Sequence, residues 1–247
     1  MLLSANYLID FNVEATDGNI GTVYDYYFDD RGWKIRYVVV DTGKWLPGRK
    51  VLLSPVCIEN VTVPDRVLPV ELTREKVKNS PEISADMPVS KQYEVELHKY
   101  YGWAPYWTGQ FTAETGGVIA MPPMEADPGE RSEEQIESTH LRSIREVRGY
   151  HIHASDGKIG HVDDIIVETK NDMIRYLVVD THNWLPGKKV IIPPQWARDI
   201  DWAEKSVQMD VDRQAVKESP EFDPEEGVNR ELEIRLYDYY GRPKYWS

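Results

Sequence analysis

The sequence predicts a mainly β protein: two small β-barrels, each with a short helical tail, related by tandem duplication. Three observations lead to that class. The chain repeats itself at one constant offset of 139 residues, without a gap, and 36 of the 104 aligned positions from 4 to 107 are identical. Inside each copy, short runs of β-branched and aromatic residues alternate with turns built on Gly, Pro and Asp. Helical signals are confined to the end of each copy. About six short strands with few covering helices bury their edges most simply by closing into a barrel.

In the first copy, 12–15 reads as a short strand, and Asp17-Gly18 is a tight-turn pair. The run 20–28 is a second strand, stopped by the turn Asp29-Asp30-Arg31-Gly32. The clearest strand is 33–41, where Ile35, Tyr37 and Val39 alternate with Arg36, Val38 and Val40. Pro47-Gly48 forces a turn, and 50–54 is a further strand ended by Pro55. Weaker strands are expected at 58–63 and 67–71. Thr73 is a good N-cap for a short helix that stops before Pro81. Ser90 caps a second helix running to Tyr101, with Gly102 as its C-terminal signal. Asn229 replaces Ser90 in the second copy, so the cap chemistry persists while the residue changes.

The 247 residues fit two domains, 1–107 and 140–247, joined by 108–139. The joining segment holds Gly-Gly, Pro-Pro and Pro-Gly pairs and a Glu-rich run, and reads as a solvated linker. Within it, 118–121 could form an ordered arm and 133–139 a short helix. Net charge is −13: −3 over 1–107, −6 over 108–139 and −4 over 140–247. No basic stripe is present, which speaks against direct nucleic-acid binding and against an anionic membrane surface. No run approaches the ~20 apolar residues of a membrane-spanning helix. The start, MLLSANYLIDFN, lacks a secretory signal's basic start and apolar core. The lone Cys57 permits no internal disulfide, and a reducing, cytoplasmic location is expected.

The repeated motifs are ATDGNIGTVYD/ASDGKIGHVDD, IRYVVVDT/IRYLVVDT, KWLPGRKV/NWLPGKKV and VKNSPE/VKESPE, followed by Tyr-Tyr-Gly and a Tyr-Trp pair. Together they resemble the PRC-barrel superfamily, in tandem form. Similar barrels occur in the cytoplasmic domain of the photosynthetic reaction-centre H subunit and in the C-terminal domain of the ribosome-maturation factor RimM. The resemblance spans both copies and implies a non-enzymatic interaction or assembly module. Two alternatives stand beside it: a small-molecule or metal-binding protein with a sensory or storage role, and an RNA-processing or ribosome-assembly adaptor by analogy with RimM.

No residue is assigned as catalytic, cofactor-binding or metal-binding. Asp17, Asp25 and Asp41, with their mates Asp156, Asp164 and Asp180, are read as turn and rim residues, with Arg36 pairing the carboxylates at the rim. His151 and His153 lie on one strand face but have no spaced acidic or cysteine partner. DGNIG lacks the Lys-Ser/Thr of a phosphate loop. The candidate interface is aromatic: Trp45 and Trp184 in the WLPG turns, and Tyr100, Tyr101, Tyr106, Trp107, Tyr239, Tyr240, Tyr245 and Trp246 in the tails. These rings either lock each tail onto its own barrel or form the seam between barrels or between chains. A protein partner, an intrachain pseudo-dimer and a possible homo-oligomer are the expected associations.

Overall fold

The computed structural model describes residues 1–59, 61–82, 89–108, 140–181 and 187–246. The joining segment from 109 to 139, with its expected arm and helix, lies outside them. In the first half the strands are β1 (Leu2–Ser4), β2 (Asn12–Ala15), β3 (Gly18–Asp29), β4 (Lys34–Asp41), β5 (Lys50–Leu53) and β6 (Val67–Pro69). Its helices are α1 (Ala5–Leu8), α2 (Arg74–Lys78) and α3 (Lys91–Tyr101). The second half repeats the plan. Its strands are β7 (Leu141–Ser143), β8 (His151–Ala154), β9 (Gly157–Glu168), β10 (Met173–Asp180), β11 (Lys189–Ile192), β12 (Ala197–Asp201) and β13 (Ser206–Met209). Its helices are α4 (Ile144–Val147), α5 (Arg213–Glu218) and α6 (Arg230–Tyr240).

The expected tail helices form with the expected caps. The Ser90 and Asn229 side chains accept from the backbone N–H of Tyr93 and Leu232, and Gly102 and Gly241 adopt the left-handed conformation at the C-termini. The repeated DGxxG motif has a steric origin. A Cβ on Gly21 would lie 2.0 Å from the Asp41 carbonyl oxygen, and one on Gly160 2.0 Å from that of Asp180. The second glycine therefore lets two strands of one barrel touch backbone to backbone.

One expected strand differs. The segment near 58–63 makes only isolated bridges, Ile58 to Val70 and Thr62 to Val67, whereas its mate in the second half is the full strand β12. Pro69 stands where the second half has Gln208, the register partner of Asp199. Proline removes the N–H that this ladder needs.

The halves share one sheet. β4 and β10 meet at Lys34 and Met173. Ile35 N–H donates to the Asp172 carbonyl and Ile174 N–H to the Trp33 carbonyl, both at 2.8 Å. Ile35 and Ile174 are mates at the 139-residue offset, so this junction lies on a pseudo-twofold axis. The two N-terminal arms cross it. β1 pairs with β9 of the second half, Leu3 opposite Val167, and β7 pairs with β3 of the first, Arg142 opposite Phe28. The sequence reading did not anticipate these arms, because a three-residue strand followed by one helical turn carries no periodicity.

The repeated aspartates hold the arms in place, which corrects the expected rim pairing with arginine. Asp164 accepts from Ser4 Oγ, and from Asn6 N–H at 3.1 Å. Asp25 accepts from Ser143 Oγ at 2.5 Å and Arg145 N–H at 3.2 Å. Each serine hydroxyl also accepts from the third N–H of its own short helix, at 3.1 Å. One hydroxyl thus caps its helix and ties it to the opposite half. Arg36 pairs instead with Asp29 at 3.0 Å. Asp17 and Asp156 accept from the Arg74 and Arg213 N–H groups that begin α2 and α5, and Asp41 takes the Gly43 N–H.

Candidate interaction surface

The tail helices are anchored by a buried carboxylate in each half. Glu94 on α3 and Glu233 on α6 are each 1% exposed. Glu94 Oε1 accepts from the Tyr37 hydroxyl at 2.9 Å and the Tyr106 hydroxyl at 2.5 Å, and Oε2 faces Lys91 Nζ at 3.3 Å. Glu233 Oε1 accepts from Tyr176 and Tyr245, both at 2.7 Å, and Oε2 faces Arg230 at 3.0 Å. A buried carboxylate is tolerated only with such a set of donors. Burial first, and the carboxylate second, push the Tyr37 and Tyr176 phenols far above the ordinary tyrosine range. These hydroxyls stay protonated and act as donors. Sequence reasoning missed both glutamates. Their signal was an identical Glu three residues after Lys91 or Arg230, in a helix whose other charges drift.

His98 marks the main asymmetry of the two networks, because its mate is Tyr237. Its Nε2 lies 2.9 Å from the Tyr37 oxygen. Tyr37 spends its single proton on Glu94, so the imidazole N–H must donate to Tyr37. Burial holds His98 below the ordinary histidine range, despite the nearby Glu94 charge.

The predicted aromatic residues gather around these anchors. Arg36 lies 4.1 Å over Tyr106 and Arg175 3.9 Å over Tyr245. Lys91 lies 3.4 Å over Trp107 and Arg230 4.1 Å over Trp246. Tyr100 and Tyr239 donate to the backbone carbonyls of Lys76 and Ala215 in the preceding short helices. Tyr101 stacks on Trp103 at 4.2 Å, whereas Tyr240 meets Trp196 edge-on at 5.0 Å. The first half therefore supplies the ring from its tail and keeps the small Cys57 in the barrel. The second half supplies it from the barrel, with Arg242 in the tail. Burial pushes both Tyr101 and Tyr240 up to about 12. Trp45 is half-buried beneath the Arg74 guanidinium, 4.9 Å from its ring. Trp184 lies outside the described residues. These contacts hold each tail to its own half. The seam is made by the crossing arms, by Arg142 and His140 on Asp30 at 3.1 and 3.2 Å, and by Arg145 over Tyr24 at 4.2 Å.

The tail helices also present an outward face. Val95 on α3 is 49% exposed and its mate Ile234 on α6 is 39% exposed. Exposed helix positions favour straight-chain polar residues, and β-branched ones gain nothing locally. Exposed neighbours on this face drift: Glu96 becomes Arg235 and Lys99 becomes Asp238. This position alone on the outer face is β-branched and apolar twice.

His151 and His153 lie on β8, with His161 of β9 opposite His151. Burial and the Lys158 charge push His153 below the ordinary histidine range. Among the described residues no group of three or more His, Cys, Asp or Glu is placed to hold a metal ion, and no helix is long and apolar enough to cross a membrane.

A doubled sheet with exchanged arms and helical tails is the architecture of a tandem barrel protein. The PRC-barrel domain model matches residues 2–77 and 140–216, more than half of the chain, and the protein belongs to that family. No curated protein matches the chain significantly.

Proposed function

We propose that the protein is a non-enzymatic assembly module of the cytoplasm, whose two tail helices dock a protein partner at pseudo-equivalent sites. The carrying observation is the exposed pair Val95 and Ile234, one in each half at the same position. The buried carboxylates support this reading. They use their lone pairs on phenols and cations of their own half, and so stiffen the helices that present the apolar faces. Doubling a face on a rigid frame raises the avidity of a two-site partner without new contacts.

The test is affinity capture with the parent and with the double variant Val95→Asp/Ile234→Asp. Both positions are on the surface, so melting should stay within about 0.5 kcal/mol of the parent. A partner retained by the parent and lost by the variant is the expected result. Equal capture by both proteins would defeat the proposal.

A further inference from the structure

A cleft of about 750 Å³ opens on one side of the seam. Leu8, Val38, Leu68 and Val167 are buried on its floor, while Glu59 and Lys170 are exposed at its mouth. Both halves contribute, since Val167, Thr169, Lys170 and Asp172 come from the β9–β10 region and the rest from the first half.

The pseudo-twofold axis supplies an internal control. Each lining residue has a mate 139 positions away, and across the axis several mates are much larger. Val63 corresponds to Trp202, Leu3 to Arg142, Val167 to Phe28 and Asp172 to Trp33. Those larger side chains pack on one another. Trp33 stacks on Phe28 at 5.2 Å and Arg142 lies 4.3 Å over Trp202. One copy of the ancestral seam is thus filled with rings, and the other is left open by small residues. Close-packed interiors do not keep such a space without cost, because its lining forgoes contacts.

The open copy also exchanges a tryptophan for a carboxyl group. The Asp172 side-chain carboxyl makes no hydrogen bond or ion pair with any described residue, and burial raises its proton affinity although Lys34 and Arg36 oppose this. A half-buried carboxyl that receives no hydrogen bond from a described residue, beside the apolar Leu8–Val38–Leu68 floor of a cleft lined by both polar and apolar atoms, fits a ligand that brings a donor and an apolar body together. The volume lies within the range of small-molecule sites.

We propose that this cleft binds a small lipophilic molecule bearing a hydroxyl or amine, its apolar body on the Leu8–Val38–Leu68 floor and its donor on the Asp172 carboxyl. The probe is N-phenyl-1-naphthylamine, a neutral apolar amine that fluoresces when it leaves water. The full chain should bind it saturably at one site. Val63→Trp, which installs the ring found at Trp202, should weaken binding at least tenfold with no loss of melting temperature. If that variant melts below the parent, Val61→Phe on the same wall replaces it. In competition, 1-decanol should displace the dye better than its methyl ether, which lacks the donor. Asp172→Gly, which suits the positive φ of this residue, should remove that preference, and Asp172→Asn should keep it. Non-saturable binding, unchanged binding by the filled variant, or equal displacement by alcohol and ether would each overturn the proposal.

Discussion

His98 and Tyr237 show how one position can be solved twice. Both lie against a tyrosine that donates to a buried glutamate, yet only His98 is an imidazole, whose ordinary range is close to neutral pH. Its folded value is depressed by burial, which outweighs Glu94, while Lys91 adds to the depression. The sign follows from linkage. A base with a lowered folded value contributes stability that is present above its ordinary value of 6.5 and is lost as pH falls through the folded value. His98→Tyr places the second half's residue in the first and removes this acid-side loss. Urea melts of parent and variant between about pH 7 and pH 5 should show the parent losing ground on acidification. Parallel pH profiles would mean that His98 is not held neutral by the fold.

The arm helps to join the halves, and one hydroxyl in it does two jobs. Ser4 caps α1 and donates to Asp164, 160 positions away in the sequence. Ser4→Ala alone should cost about 1 kcal/mol, as loss of an N-cap does. Ser4→Ala combined with Asp164→Ala should be non-additive by about 0.5–3 kcal/mol, because the two groups share one interaction. Denaturant melts of the four proteins in this cycle provide the measurement. Strict additivity would show that the hydroxyl and the carboxyl do not act together. The first WLPG turn, the Asp17-Gly18 turn and the capped tail helices were legible at this scale, because each rests on residues close together in sequence. The arms were not, because their pairing partners lie in the other copy.

On the scale of the whole molecule, the exchange makes the halves interdependent. A separated first half loses β7 from β3, and a separated second half loses β1 from β9. Each half still carries an arm with the right chemistry, Ser4 or Ser143, and a receiving aspartate, Asp25 or Asp164. Residues 1–108 or 140–247 expressed alone should therefore form homodimers by trading arms, a low-barrier route to a twofold pair. Analytical ultracentrifugation at micromolar concentration should show a dimer for each piece, and heterodimer formation on mixing. Folded monomers of both pieces would mean that the exchange is dispensable.

The sequence by itself determined the duplication, the strand-and-turn order of each copy, the helix caps and the aromatic tails. Those features depend on local sterics, on capping and on period-two burial, all of which act over a few residues. It also carried the unexplained identities, Ser4 with Ser143, Asp25 with Asp164 and Glu94 with Glu233, without saying what they touch. Only the tertiary structure decided that. A carboxylate becomes an anchor when particular donors from distant segments converge on it in a site that excludes water. A cleft at a pseudo-symmetric seam exists only where the mates across the axis differ in volume. Both are properties of contacts between segments far apart in the chain, from 57 positions at Tyr37 and Glu94 to 160 at Ser4 and Asp164, and no local pattern encodes them.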